Sequence, residues 1–389
     1  MHRSKLNAAL RQSLCFAAAT WLLSGCSLLT TAPRTPAAPV AVAPPPAAPN
    51  PQAPRLAPLD TRHFALAAKQ EVIGDMQVIF ARHENTFSAI GRQYNLGYEE
   101  MRSANPGVDQ WLPGEGTPIY LPTQSILPEA PHSGIVVNVP AMRIFYFSTE
   151  KPTQAGAPET VKVTSHPIGI GVEGWATPFG EAKVTQKVKD PVWYVPASIR
   201  KEHAERGDPL PSVVKPGPDN PLGAYALTLS LPSYLIHGTN KPAGVGMRSS
   251  HGCIRLYPED IEELFTRVPR GTAVRLVNQP VLAGWRDGQL YLEIHPPLAE
   301  EVHDLVAEAD AALLRALERA GVAAAGVQID RAAIEKIVKE QRGIPLPVLK
   351  SERSLEQYLA SARIVENTTP IALAEETARL DEPAVNASR

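Results

Sequence analysis

A succession of short apolar runs in the middle of the chain constrains the fold more than any other feature. The runs are rich in apolar and β-branched residues, as is typical of strands. They cover residues 135–139, 142–147, 161–170, 182–188, 224–231 and 273–277. The clearest helical pattern in this part of the chain covers residues 258–268. The pattern predicts a mainly β domain, of sandwich or barrel type, over residues 133–278.

A smaller unit with a different pattern precedes this domain, over residues 75–123. A β-like run at 76–80 is followed by helical patterns at 86–94 and 98–104 and by a β-like end at 117–121. The motif residues within it are Glu84, Asn85, Thr86, Phe87, Ile90, Tyr94, Asn95, Leu96, Ala104, Asn105, Pro106, Ile119, Tyr120, Leu121 and Pro122. They resemble a LysM module, a family that binds N-acetylglucosamine-containing glycans such as peptidoglycan. Glu84 and Asn85 replace the family's usual Gly-Asp, so the alternative is a stable spacer that has lost its ligand.

The first 26 residues have the composition of a signal peptide. Basic residues up to Arg11 precede an apolar run over 14–23, which is about half of what spans a bilayer. Residues 23–26, Leu-Ser-Gly-Cys, resemble a lipobox, which implies cleavage before Cys26 and lipidation of that residue. Ser27 resembles the sorting signal of outer-membrane lipoproteins, so we expect a periplasmic protein of the cell envelope with a lipid anchor in the outer membrane. Ordinary cleavage that leaves a free thiol, or a permanent membrane anchor, are the alternatives.

Proline and alanine dominate the next stretch, and we expect a linker over residues 27–74. The chain has 39 prolines, many of them here, which favours a semi-extended tether. A net charge of −2 gives no basic field, which excludes non-specific nucleic-acid binding.

The C-terminal part of the chain changes pattern again. We expect a β extension over residues 279–300 and a helical tail over 301–389, in which Leu305, Leu313 and Leu317 follow helical spacing. The sequence therefore predicts a multidomain protein: a small β-α-α-β module, a mainly β domain and a helical tail.

Cysteine usage draws attention to one thiol. If cleavage removes Cys15 and lipid occupies Cys26, then Cys253 is the one free thiol of the mature protein and no intramolecular disulfide can form. Such a thiol is either buried and inert or reactive.

The surroundings of Cys253 favour reactivity. His251 and Arg255 flank it, and His237 lies 16 residues earlier at the end of an apolar run. An imidazole can take the proton of a thiol that attacks a carbonyl, and Gly252 permits an unusual turn whose amides could hold an oxyanion. Two alternatives remain from the residues alone. These histidines could be hydrogen-bonded core residues, or His237, His251 and Cys253 could hold zinc.

The pattern closely resembles the signature of the YkuD-type L,D-transpeptidases. The matching segments are 237–239, 250–255, 167–171, 177–180 and 219–223, so the resemblance covers about 145 residues. It implies that Cys253 is the nucleophile and His237 its general base. Ser250 and His251 would shape the site, and Gly252 with the Cys253 amide would hold the oxyanion. Arg255 would bind a substrate carboxylate or lock the loop, and Gly238 stands where some relatives have serine.

The resemblance also implies the reaction. Cys253 would cleave a peptidoglycan tetrapeptide stem after the L-centre of diaminopimelate, release D-alanine and form a thioester, without a metal or organic cofactor. An amine of another stem, a lipoprotein lysine, another small amine or water would resolve the thioester. The partners implied are the stem peptides and glycan strands of peptidoglycan, and a lipoprotein as one possible acceptor. The alternatives are a degenerate peptidoglycan-binding lipoprotein, an L,D-carboxypeptidase and a metal-dependent amidase.

Overall fold

The structure is a computed structural model that describes residues 49–67, 69–150, 159–371 and 373. The expected signal peptide over 1–26, the lipidation site Cys26 and the first part of the expected linker lie outside the described residues. Residues 374–389 of the expected tail lie outside them too.

The described residues form strands, seven α-helices and one 3-10 turn. Its first part contains β1 (His63–Ala65), β2 (Val72–Gly74), β3 (Gln77–Phe80), α1 (Phe87–Gln93), α2 (Tyr98–Ala104), β4 (Pro118–Leu121) and β5 (Gln124–Ile126). Its middle part contains β6 (Gly134–Asn138), β7 (Arg143–Glu150), β8 (Thr160–Pro167), β9 (Ile170–Gly171), β10 (Gly180–Lys189), β11 (Trp193–Tyr194), α3 (Ala197–Glu205), β12 (Val213–Val214), β13 (Tyr225–Leu229), β14 (Leu235–His237), a 3-10 turn (Pro242–Gly244), β15 (Arg248–Ser250), β16 (Ile254–Arg255), α4 (Pro258–Arg267) and β17 (Ala273–Val277). Its last part contains β18 (Val281–Arg286), β19 (Gln289–Ile294), α5 (Leu305–Ala320), α6 (Arg331–Glu340), β20 (Leu346–Pro347), α7 (Leu355–Ala360) and β21 (Arg363–Ile364).

A curled nine-stranded sheet is the centre of the middle part, which is mainly β as the sequence predicted. Its strand order is β1-β8-β7-β6-β17-β10-β13-β14-β16. Most neighbours are antiparallel, but β6 pairs with β17 and β14 pairs with β16 in parallel. Alternate residues of these strands form a core with one face of α4, which contributes Ile261 and Leu264. Helix α4 begins with Pro258 and has Glu259 and Asp260 in its first turn, both favourable at a helix N-terminus.

The unit expected at 75–123 has its strands and helices in the predicted order, β3-α1-α2-β4. Thr86 caps α1 by accepting from the amide of Ala89. The unit has an additional strand that its own sequence does not supply, because β21 pairs in parallel with β3. Val365 of the C-terminal segment is part of its core.

The linker expected over 27–74 does not extend to residue 74, because two paired strands lie within its last part. Strand β1 pairs with β8 at the edge of the large sheet, and β2 pairs with β5. Phe64 packs against the core beneath β7 and β8. The proline-rich composition ends near residue 59, and the apolar residues beyond it cover an otherwise open sheet edge.

The expected tail is helical only in part. Helices α5 and α6 pack their apolar faces on the β18–β19 hairpin, forming a separate core. Strand β20 adds to that hairpin, while β21 joins β3 far earlier in the chain. Short strands of two residues have no recognisable sequence period, which is why the helical expectation missed them. Of the helices in the described ranges, none has the length and apolarity needed to cross a bilayer.

Candidate active site

Cys253 lies in a tight turn between β15 and β16. The Ser250 hydroxyl closes this turn by donating to the Cys253 carbonyl at 2.6 Å. Gly252 has φ +97°, a conformation that favours glycine, and a Cβ there would lie 2.9 Å from the Tyr234 ring. His251 and Cys253 therefore do not alternate along a strand, because β15 ends before them and β16 begins after them. Among the described cysteines, Cys253 is a free, half-buried thiol.

A buried threonine supports the same turn, and the sequence interpretation gave it no role. The Thr177 hydroxyl donates to the Gly252 carbonyl at 3.0 Å and accepts from the Gly171 amide at 3.1 Å. One side chain thus ties the turn to β9. The Thr-Pro-Phe-Gly segment at 177–180 was the available signal for this residue.

Strand pairing places His237 on the same face as Cys253. In the parallel pair β14–β16, Ile236 is opposite Ile254 and His237 is opposite Arg255. Both isoleucines are buried in the core, so His237 and Arg255 face the other side of the sheet. Cys253 precedes Arg255 by two positions and shares that face when the alternation is extended by one residue.

His237 is neutral at physiological pH. Burial and, second, the positive charge of Arg255 lower the pKa of its imidazole to about 3, while hydrogen bonds to the carbonyls of Gly238 and Leu222 act in the opposite direction. Its Nδ1 lies 2.6 Å from the Gly238 carbonyl, which only accepts, so we assign the proton to Nδ1. That tautomer leaves Nε2 with a lone pair that can accept a proton.

The thiol of Cys253 is also uncharged at rest. Burial raises its pKa, while the Leu235 amide and the Arg255 charge act in the opposite direction without offsetting burial. Sγ lies 3.6 Å from the Ser233 carbonyl. A neutral thiol that is to be activated by a neutral imidazole needs proton transfer at the moment of attack, which is general-base chemistry.

Arg255 is a partly buried cation without an acidic partner in the part of the chain that the structure describes. Its Nη1 donates to the Ser249 hydroxyl at 3.0 Å, whereas its buried Nε has no partner among the described residues. Burial lowers the pKa of this guanidinium. Such a group favours a nearby anion, either a thiolate or a carboxylate.

His251 faces helix α3. Its Nε2 lies 3.3 Å from a carboxylate oxygen of Glu202, and its ring meets Trp175 edge-on with centroids 5.1 Å apart. Burial lowers the pKa of His251, and the Glu202 charge partly restores it. Glu202 and Trp175 had no sequence signal, because a contact between α3 and this turn depends on the tertiary fold.

Two backbone features complete the site. The amides of Gly252 and Cys253 donate no hydrogen bond to any residue that the structure describes, so both are available to an oxyanion. A Cβ at Gly238 would lie 3.0 Å from Ile261 of α4, so glycine here permits close packing of the helix. No cluster of three or more His, Cys, Asp or Glu side chains suited to a metal ion occurs within the described residues.

Known proteins match this chain over most of its length. The YkuD family, described as the L,D-transpeptidase catalytic domain, matches residues 132–276. The probable L,D-transpeptidase YbiS of Escherichia coli K12 is 38% identical over 279 residues, which are 71% of this chain and 88% of the relative. The probable L,D-transpeptidase YcfS of the same organism is 36% identical over 274 residues, covering 69% and 82%. The probable L,D-transpeptidase ErfK/SrfK of Salmonella typhimurium LT2 is 36% identical over 302 residues, covering 74% and 93%. The chain therefore belongs to the L,D-transpeptidase family, and residues 132–276 match its catalytic domain.

Proposed function

We propose that this protein is a peptidoglycan L,D-transpeptidase in which Cys253 is the nucleophile and His237 its general base. The observation that supports the assignment most is the register of β14 with β16, which pairs His237 with Arg255, two residues after Cys253. The matched family and the names of the relatives support the reaction class.

The first half-reaction acylates the thiol. Nε2 of His237 takes the proton of Cys253 as Sγ bonds to the carbonyl carbon at the L-centre of diaminopimelate. The amides of Gly252 and Cys253 hold the resulting oxyanion. The C–N bond to D-alanine then breaks, and the imidazolium returns its proton to the leaving amine. Because the imidazole is a weak base, proton transfer and attack are coupled in one step.

The second half-reaction releases the product. An acceptor amine attacks the thioester carbon, His237 takes its proton, and the same proton returns to Sγ as the C–S bond breaks. A side-chain amine of a second stem gives a 3→3 cross-link, and a lipoprotein lysine gives attachment of that protein to the wall. Arg255 stabilises the thiolate as it forms or binds the carboxylate of the stem. The absence of an acidic partner among the described residues supports both roles.

We further propose that residues 75–123 are a LysM-like module that binds peptidoglycan glycans. The β-α-α-β order and the residues around Thr86 support this assignment. The leader sequence supports a periplasmic location with Cys26 lipidated in the outer membrane.

Product analysis tests the reaction. The full chain is incubated with a disaccharide-tetrapeptide, and the products are separated and identified by mass spectrometry. D-alanine release together with a 3→3 dimer is the expected result, and the Cys253→Ala variant yields neither. D-alanine without a dimer, even when amine acceptors are supplied, would replace the transpeptidase by an L,D-carboxypeptidase. No release by folded protein would contradict both enzymes and favour a binding lipoprotein.

A further inference from the structure

The segment that carries Cys253 is held at both ends by the small module. We propose that the β3-α1-α2-β4 module is a positioning element of the catalytic site as well as a separate unit of the chain. This inference concerns how the site is built and rests on the proposed function only for its turnover measurement.

The first contact precedes the catalytic turn. The amides of Tyr98 and Glu99, at the start of α2, donate to the carbonyls of Val245 and Gly246 at 3.3 and 3.0 Å. The two backbones touch, since a Cβ on Gly97 would lie 2.7 Å from the Gly246 Cα. Such an approach requires glycine on both sides and leaves the loop no freedom to shift toward the module.

The second contact follows the catalytic turn. Tyr257, two residues after Arg255, is 2% exposed and donates its hydroxyl to the Leu96 carbonyl at 3.2 Å. The residue bonded to Tyr257 is therefore a direct neighbour of Gly97, which contacts the other end of the segment. The module thus fixes residues 245–246 and 257, and Cys253 lies between them.

The position of the loop in turn determines the position of the Arg255 guanidinium. The Ser249 hydroxyl donates to the Gly244 carbonyl at 3.2 Å and accepts from Arg255 Nη1. A Cβ on Gly244 would lie 2.9 Å from that same nitrogen, so the guanidinium rests on the loop backbone. Moving the loop displaces Arg255, whose charge acts on both Cys253 and His237.

A buried ion pair sets the orientation of the module on the sheet. Arg143 of β7 contacts Glu100 of α2 at 2.8 Å, with the two side chains 6% and 10% exposed. Arg143 also donates to the Asn95 carbonyl at 2.9 Å, and Glu100 accepts from the Gly97 amide at 2.6 Å. The α2 N-terminus is thereby fixed to the sheet as well as to the loop, so it holds the loop at a fixed position relative to the sheet.

Two matched alanine substitutions in the full chain test the proposal. Gly97 has an ordinary φ of −86°, so Gly97→Ala strains no backbone angle but separates the module from the loop, because its Cβ would lie 2.7 Å from the Gly246 Cα. Gly116 has φ +79° and nothing within 4 Å of a Cβ built there, so Gly116→Ala strains the module without touching residues 96–99. Gly116→Ala is therefore the control for destabilisation within the module. Tyr257→Phe is the milder third variant, in case Gly97→Ala does not fold.

Two readouts follow: D-alanine release, and the pH dependence of iodoacetamide alkylation at Cys253, mapped by peptide mass. Gly97→Ala should lower kcat per folded molecule about tenfold and move the alkylation midpoint of Cys253 to higher pH. Tyr257→Phe should do the same to a smaller extent, and Gly116→Ala should leave the midpoint unchanged. Equal behaviour of Gly97→Ala and Gly116→Ala, or unchanged midpoints in Gly97→Ala and Tyr257→Phe, would overturn the proposal. If the wild-type chain releases no D-alanine, the proposed function fails while the alkylation contrast still decides the inference.

Discussion

Two buried histidines of this protein have opposite surroundings. His237, 3% exposed, faces the cation Arg255 and two backbone carbonyls. His166, fully buried in β8, lies 3.1 Å from Asp260 and 3.7 Å from Glu263. The same side chain is thus placed beside a positive charge in one region and beside negative charges in the other. Because both histidines are buried, their charged neighbours are what distinguishes a histidine suited to act as a base from one that stabilises the fold.

The His166 region joins three parts of the chain. Asp260 belongs to α4 and is 1% exposed, and Arg62 of the N-terminal segment approaches it at 3.5 Å. Asn95 of the module lies 3.2 Å from the same ring. Three parts of the chain meet at His166: the N-terminal segment, the module and the large sheet. Disrupting this network should therefore lower the stability of the fold.

The largest effect is expected at Cys253, the proposed nucleophile, which lies outside the His166 network. Cys253→Ala should lower D-alanine release by about 10⁴-fold or more, because no other group can form the thioester. Thermal unfolding should be nearly unchanged, since the thiol is only half-buried and its contact with the Ser233 carbonyl is long, at 3.6 Å. Residual turnover near the wild-type level would show that the chemistry lies elsewhere.

Matched glutamine variants of the two histidines test the difference between these two regions most directly. His237→Gln should lower kcat/KM by about 10³-fold through loss of the general base, with a small change in stability. His166→Gln should leave turnover per folded molecule near the wild-type value. It should lower the free energy of unfolding by about 3 kcal/mol, because Asp260 loses a buried partner. Urea unfolding alongside turnover measures both, and exchanged outcomes would reverse the assignment of the two regions.

Acid should weaken the fold through His237. Its pKa is about 3 in the folded protein against 6.5 ordinarily, so the unfolded chain binds the proton first as pH falls. Stability therefore declines from pH 6.5 downward, by about 2 kcal/mol at pH 5 from this group alone. His237→Gln should remove that part of the decline in urea unfolding at pH 7 and pH 5. An identical decline in the variant would mean that the imidazole is protonated in the folded state.

The smallest effect is expected at His251, where an acid is again the neighbour. Glu202→Gln removes the charge that raises its pKa, so the pKa of His251 should fall further. Both side chains are about one-quarter exposed, and solvent screens the pair. We expect turnover within about fivefold of wild type. NMR titration of the ring measures the pKa, and an upward shift would contradict the contact.

Sequence patterns predicted the reaction class, which the family match confirms, better than the architecture. The segments around His237 and Cys253 are short and local, so roles could be proposed for their residues before any fold was known, and those roles stay predictions. The mainly β domain and the order of β3, α1, α2 and β4 also followed from hydrophobic period. The roles of Thr177 and Glu202 were missed because they depend on contacts with residues that are distant in the sequence.

The long-range connections could not be predicted. Strand β21 joins β3 across nearly the whole chain, and β1 covers the edge of β8. Both strands are too short for a period to appear, and their positions follow from unpaired sheet edges. The buried ion pair Arg143–Glu100 likewise depends on how the module packs on the sheet. The sequence around either residue contains no information about that packing.

The most direct test of the central claim is the mass of the intact protein after rapid acid quench with disaccharide-tetrapeptide. The account predicts an adduct equal to the donor minus D-alanine, mapped to Cys253, which forms much more slowly in His237→Gln and is absent in Cys253→Ala. An adduct on another residue, or D-alanine release with no adduct at any time in wild-type protein, would contradict a Cys253 thioester.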